Sequence, residues 1–175
     1  MELKREVEAL QKNDKFREWK GKSENKDNFL SYILFMTGDE EDKLQVGYYN
    51  KENEKATTFD ISGKDERKVD IRSEEEVFKR PDMEVNRLDL ESVDIEVGDA
   101  LSTADKLQKE KYPAEIPIKV IVILQKLSPY GQIYNITYVT KTFKTLNIKV
   151  DAGTGDIVED HLVSLIQFPS SQQKE

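Results

Sequence analysis

Ile118-Lys-Val-Ile-Val-Ile-Leu124 is the stretch on which the fold turns. It is β-branched almost throughout and apolar at odd and even positions alike, so a strand built from it carries apolar side chains on both faces. Such a run suits the centre of a sheet. Downstream, Ser128-Pro-Tyr-Gly131 reads as a turn, after which Tyr134, Ile136 and Tyr138 alternate with Asn135 and Thr137. Leu146, Ile148 and Val150 then alternate with Thr145, Asn147 and Lys149, the clearest two-residue period in the chain, before Asp151-Ala-Gly-Thr-Gly155 turns it again. Ile157 to Phe168 fits two periods. Val158, Leu162, Leu165 and Ile166 suit a helix, whereas Leu162, Ile166 and Phe168 suit one face of a strand, and the abrupt stop at Pro169 favours the strand. Upstream, Val97, Leu101, Ala104 and Leu107 share a helical face, with Asp94 as the expected N-cap and Pro113 as the stop.

The first half shows the same order. Leu3, Val7 and Leu10 follow i, i+4, i+7 spacing, and with Phe16 and Trp19 they predict one helix over residues 2–20, stopped at Gly21. Phe29 to Met36 is a dense apolar strand, and Thr37-Gly-Asp-Glu-Glu-Asp42 a turn. Two alternating strands follow, one through Leu44, Val46 and Tyr48 and one through Thr57, Phe59 and Ile61. Ser62 to Asp70 is too charged to show a period. Ser73-Glu-Glu-Glu76 carries a capping-box pattern, which predicts a short helix that buries Val77 and Phe78 and stops near Pro81.

The expected fold is therefore α+β. It comprises two similar units, each an N-terminal helix packed on an antiparallel meander of three strands or slightly more. The first unit spans residues 1–72, a connection with a short helix spans 73–92, the second unit spans 93–168, and residues 169–175 form a flexible tail.

Composition narrows the function. The 175 residues carry a net charge of −8, the opposite of the basic footprint that nucleic-acid binding needs. The densest basic stretch, Lys64, Arg67, Lys68 and Arg72, is interrupted by Asp65, Glu66 and Asp70 and reads as a solvated face. With no cysteine, the chain has no disulfide, thiolate metal site or cysteine nucleophile. No apolar run approaches the ~20 residues of a membrane span. The charged N-terminus lacks the apolar core of a signal peptide, so a cytoplasmic location is expected.

Residues 93–160 resemble the PepSY domain, a small α+β module. The likeness rests on the helix opening Asp94-Ile-Glu-Val-Gly-Asp-Ala-Leu101 with Ala104, and on the strand ending Val150, Asp151, Thr154, Gly155, Asp156 and Ile157. In the first half the nearest counterpart to that ending is Phe59-Asp-Ile-Ser-Gly63. The resemblance implies a helix packed on an antiparallel sheet, a role in binding or in inhibiting peptidases, and no catalytic residues.

The residues taken singly point the same way. His161 is the sole histidine, and its neighbours Glu159 and Asp160 cannot both orient it, since adjacent strand residues face opposite ways. Asp39 to Asp42 diverge as consecutive residues do. Asp151, Thr154, Asp156, Glu159 and Asp160 lack the ligand spacing of a calcium loop. Gly153 and Gly155 lack the lysine of a phosphate loop. Asn135-Ile-Thr137 fits a glycosylation sequon but lies inside a strand. No catalytic, metal or cofactor site is expected. Most of the aromatic residues are expected to cover the core beneath the helices; the alternative is that Tyr48, Tyr49, Tyr134 and Tyr138 form an interaction surface, because sheet tyrosines combine an apolar body with a polar tip.

The expected function is that of a non-enzymatic interaction module for a protein or peptide partner, with regulation of a peptidase implied by the resemblance. A self-associating structural protein is one alternative. A small carboxylate-dependent enzyme is another, although its acid or base would have to sit in the apolar strands, and residues 29–36, 118–124 and 133–139 contain no Asp or Glu.

Overall fold

The computed structural model describes residues 2–37, 43–63, 67–72, 75–76 and 84–165. Residues 38–42 of the turn read at 37–42, the side chains of Val77 and Phe78, and the tail at 169–175 lie outside these residues.

The first helix breaks in two. Helix α1 (Leu3–Lys12) buries Leu3, Val7 and Leu10, and helix α2 (Asp14–Gly21) buries Phe16 and Trp19. At 3.6 residues per turn, a straight helix would set Phe16 and Trp19 roughly 240° and 180° around the axis from Leu10, on the far side from α1's apolar stripe. The break at Asn13 re-aims them. Asn13 is extended, and its side chain accepts a hydrogen bond from the Lys15 N–H at 3.0 Å, capping α2.

The strands form one antiparallel sheet. They are β1 (Phe29–Thr37), β2 (Lys43–Asn50), β3 (Lys55–Ser62), β4 (Lys68–Ile71), β5 (Glu75–Glu76), β6 (Pro117–Leu127), β7 (Gly131–Thr140), β8 (Lys144–Asp151) and β9 (Ile157–Ser164). Their spatial order is β4-β3-β2-β1-β6-β7-β8-β9, with β5 also on β3. The first strands of the two meanders pair with each other, Ile33 opposite Leu124 and Phe35 opposite Val122, so β6 is central as its composition predicts. Ile157 to Ser164 is a strand, as the stop at Pro169 favoured.

Two local expectations are corrected. Glu75 and Glu76, read as the start of a short helix, pair with Ala56 and Lys55 of β3 as a strand. Within the charged stretch after Ser62, Val69 and Ile71 pair with Ile61 and Phe59 and add a fourth strand to the first meander. The basic residues there are tied down individually: Arg67 to Glu6, and Arg72 to Asp60.

The three α-helices among the described residues cover one face of the sheet. Helix α3 (Val97–Lys111) lays Val97, Ala100, Ala104 and Gln108 on it, and the two alanines, fully buried, let the helix come close to β7 and β8. Its N-cap is Glu96, not Asp94 as expected; the Asp94 and Ile95 N–H groups both bond to the Ala152 carbonyl at 3.0 Å. That carbonyl belongs to the turn after β8. There the Asp151 carboxylate accepts from the Gly153 and Thr154 N–H groups, and Gly155 takes a φ of +81°. The residues that carried the family resemblance thus build a turn that docks onto the start of α3.

Candidate functional site

The four tyrosines weighed as a contact surface are core residues, in keeping with the other reading. Tyr48, Tyr134 and Tyr138 lie under the helices and Tyr49 packs edge-on against Phe29, none of them more than 4% exposed. The polar tips are satisfied internally. Gln11 donates to the Tyr48 hydroxyl at 3.3 Å, while the Tyr134 hydroxyl donates to the Ile95 carbonyl at 2.6 Å and that of Tyr138 to Asp105. Burial raises the pKa of all three. They hold the helices on the sheet and present nothing to a partner.

Two other surfaces stand out. The first is the sheet face opposite the helices. Across the β1–β6 seam the register sets Leu34 opposite Ile123 and Met36 opposite Ile121, four apolar side chains that are only half-buried. Hydrogen-bonded polar residues flank them. On one side Asn147 donates to Asn135 at 2.7 Å and to Thr137 at 2.9 Å; on the other Gln45 donates to Asp60 at 2.7 Å. Tyr32 lies over Gly47, where a Cβ would come within 2.0 Å of the ring, and its hydroxyl shares a 2.8 Å hydrogen bond with Thr58. An apolar centre ringed by polar groups has the anatomy of a docking face. The sequence carried a signal for it, since neither Phe29–Met36 nor Ile118–Leu124 alternates.

The second is a cleft of about 840 Å³ between α1, α2 and the connection that precedes α3. Val7, Phe16, Leu30 and Tyr48 contribute its apolar lining. The connection is fixed beside β1 by the Leu88 N–H, which bonds to the Leu30 carbonyl at 2.9 Å, and Lys4 bridges across to Glu91 at 2.8 Å. Arg87 stacks on Phe29 with its guanidinium carbon 5.0 Å from the ring centre. Lys20 donates to the Asn25, Lys26 and Asn28 carbonyls, and its pKa is lowered by burial and then by the charge of Arg87, against the pull of Asp27. Nothing in the sequence singled out Asn28, Lys20 or Arg87, because a cleft made where a connection crosses a helix has no local pattern.

The residues weighed for chemistry are dispersed. His161 is exposed on β9 and faces away from Asp160, which accepts from Lys111 at 2.6 Å and from the Tyr112 hydroxyl on the helix side. Those two donors hold the Asp160 carboxyl below the usual range. Glu115, 5% exposed, accepts from Lys144 at 2.6 Å and from Thr142 and Thr140, which likewise hold it low. The Gly153 and Thr154 N–H groups point at Asp151 and are committed there. Asn135 sits within β7 with its oxygen accepting from Asn147. No group of three or more acidic or histidine side chains converges on a metal position among the described residues.

A helix-backed antiparallel sheet of this order defines the class of fold, and comparison with solved structures agrees. The chain is similar to a "putative lipoprotein" from Clostridium difficile 630, with a TM-score of 0.55 at 17% identity, over 85% of this chain and 90% of that one. The likeness is one of fold. No family model and no curated protein matches the sequence. The cytoplasmic location expected from the N-terminus is contradicted by this likeness, since the protein sharing the fold is described as a "putative lipoprotein". No helix among the described residues is long and apolar enough to cross a membrane.

Proposed function

We propose that the chain is a non-enzymatic, PepSY-like interaction module of two similar units that docks a protein partner on its open sheet face. The observation that carries this reading is the seam of Leu34, Met36, Ile121 and Ile123, apolar and incompletely buried at the centre of a face on which no described helix packs. The order of the sheet supports the two-unit reading. Each side is a helical segment, α1 with α2 or α3, followed by a four-strand meander, with β5 an addition on β3, and the two meet through their first strands, as an internally duplicated unit with a two-fold relation would. A non-catalytic role is supported by the state of Glu115 and Asp160, which lysines and hydroxyls hold ionised, the reverse of a carboxyl tuned for proton transfer near neutral pH. The likeness to a lipoprotein supports a partner met outside the cytoplasm.

The test is photo-crosslinking in the native host with a reactive residue at Met36 or Ile121, and at exposed Lys12 as control. The partner captured at the seam is then purified, and its affinity measured for wild type and for Ile121→Glu. Capture at the seam but not at Lys12, with affinity lost in Ile121→Glu, supports docking. Equal capture at all three positions, or an affinity that ignores the charge, overturns it. Capture of the chain by itself, with sedimentation that changes with concentration, transfers the surface to self-association.

A further inference from the structure

The two edges of the sheet are finished differently. At the β4 edge the Arg72 N–H bonds to the Thr58 carbonyl at 2.9 Å, so by the alternation of an antiparallel ladder the backbone groups of Val69 face outward. The outward Val69 carbonyl is capped, because Lys15 of α2 donates to it at 2.6 Å and also reaches Asp70. The strand is only four residues long. A short strand under a lysine is a guarded edge.

The β9 edge carries no such cap. The Leu165 N–H bonds to the Phe143 carbonyl at 2.9 Å, which makes Val163–Thr145 and His161–Asn147 hydrogen-bonded pairs as well. The N–H and C=O groups of Asp160 and Leu162 therefore face outward, and no described residue bonds to them. Both acids of the strand turn back into the chain, Glu159 to Lys149 and Asp160 to Lys111 and the Tyr112 hydroxyl, so neither stands over the edge as a charge. The one irregularity, the extra residue Val158, lies near the start of the strand. Val158, Val163 and Leu165 are 40%, 45% and 57% exposed. An unguarded edge flanked by open apolar side chains is a template for another strand.

The guarded edge says whose strand it is. With β4 capped, copies of the chain cannot join head to tail into an open array, and the surface left to complement β9 is β9 of a second copy. A two-fold axis at His161 sets Leu162 of each copy opposite Asp160 of the other, which pairs all four outward groups of both. An axis at Asp160 would oppose like charges.

We infer that β9 is a self-docking edge, through which two copies of this chain join antiparallel into one continuous sheet about a two-fold axis at His161. The contact does not use the open sheet face, whose seam lies on β1 and β6.

The chain has no cysteine, so His161→Cys introduces a single thiol. In this register the two 161 positions form a non-hydrogen-bonded pair about 4.5 Å apart at Cα, which a disulfide spans. Air oxidation is expected to link His161→Cys into dimers under conditions where Lys12→Cys, exposed on α1, gives none. Sedimentation of the full chain from micromolar to millimolar is expected to show a monomer–dimer equilibrium, with exchange of the Leu162 amide slowed in the dimer. Leu162→Pro removes only an outward N–H, which an edge strand tolerates, and is expected to weaken the dimer about tenfold or more. His161→Lys opposes two cations at the axis and is expected to weaken it severalfold. A monomer at millimolar concentration, a dimer indifferent to both substitutions, or assemblies that grow beyond two would each overturn the inference. A dimer lost in Ile121→Glu but kept in His161→Lys would move the contact to the seam. A monomer whose Leu162 amide is already protected would assign the edge to another segment of the same chain.

Discussion

The β1–β4 side of the sheet is roofed by rings and the β6–β9 side by aliphatic side chains. Over β2 and β3, Phe16, Trp19, Tyr48 and Phe59 meet with centroids 5.0–5.8 Å apart, delivered by a helix broken to aim them. Over β7 and β8, an unbroken helix presses Ala100 and Ala104 onto Ile136, Leu146 and Ile148, all fully buried. Large residues on a short helix and small residues on a long one are two ways of filling the same space to the same density. The difference predicts opposite sensitivities: the ring side suffers from loss of volume, the alanine side from gain.

The largest effect is expected from Phe59→Ala. Phe59 is fully buried and touches Phe16, Trp19 and Tyr48, so its removal opens a cavity that three rings cannot all collapse into. A cost of about 3–5 kcal/mol is expected. Urea unfolding followed by the fluorescence of Trp19, the sole tryptophan, measures it. Because β1 pairs with β6 in one sheet, backbone circular dichroism is expected to report the same transition. Two separate transitions would break the continuity between the sides.

Ala104→Leu inverts the experiment. Ala104 has no exposed surface, and added methylenes must push α3 off β7 and β8, at about 1–3 kcal/mol. A neutral or stabilising outcome would show that the two sides do not differ in tightness. Asn13→Ala tests the break itself. It removes the acceptor for the Lys15 N–H and is expected to cost about 1 kcal/mol, together with part of the aim of Phe16 and Trp19, readable as a red shift in Trp19 emission.

What the sequence disclosed divides along physical lines. Elements whose period is local were legible: β2, β3, β7 and β8 alternate cleanly, and six apolar residues among the seven from Ile118 to Leu124 announced β6 as a central strand. The elements that needed a partner were not. Val69 and Ile71 are two apolar residues in a charged stretch, and only β3 beside them makes a strand. Glu75 and Glu76 matched a helix start because a capping box is four residues of local chemistry, whereas their pairing with Ala56 and Lys55 is long-range. The break at Asn13 carried a signal that a list of apolar residues conceals: Phe16 and Trp19 are out of phase with Leu3, Val7 and Leu10. Alternation sets Tyr48, Tyr134 and Tyr138 apart from Tyr49 on the two faces of the sheet, but it does not say which face the helices cover. For the same reason the half-buried seam was visible only as runs without a period, and the cleft, made by a connection, was not visible at all.

The smallest of these effects, and the most informative about the β6–β9 side, is its response to acid. Glu115 and Asp160 have their pKa values lowered in the folded chain, Glu115 by Lys144 and Thr142 first and Asp160 by Lys111 and Tyr112. A lowered carboxyl contributes stability that is present above its unfolded pKa and is lost as the pH falls through the folded one. The contribution is therefore intact at pH 7 and fades below the ordinary carboxylate range. Glu115→Gln keeps an acceptor for Thr140 and Thr142 but loses the charge that meets Lys144. Its melting temperature is expected below that of wild type at pH 7, with the gap closing as both are titrated toward pH 3. A gap that persists at low pH would assign the loss to packing around the 5%-exposed side chain and remove the charge from the account. A gap absent at every pH would make the cluster a surface ion pair of the weak kind, despite its burial.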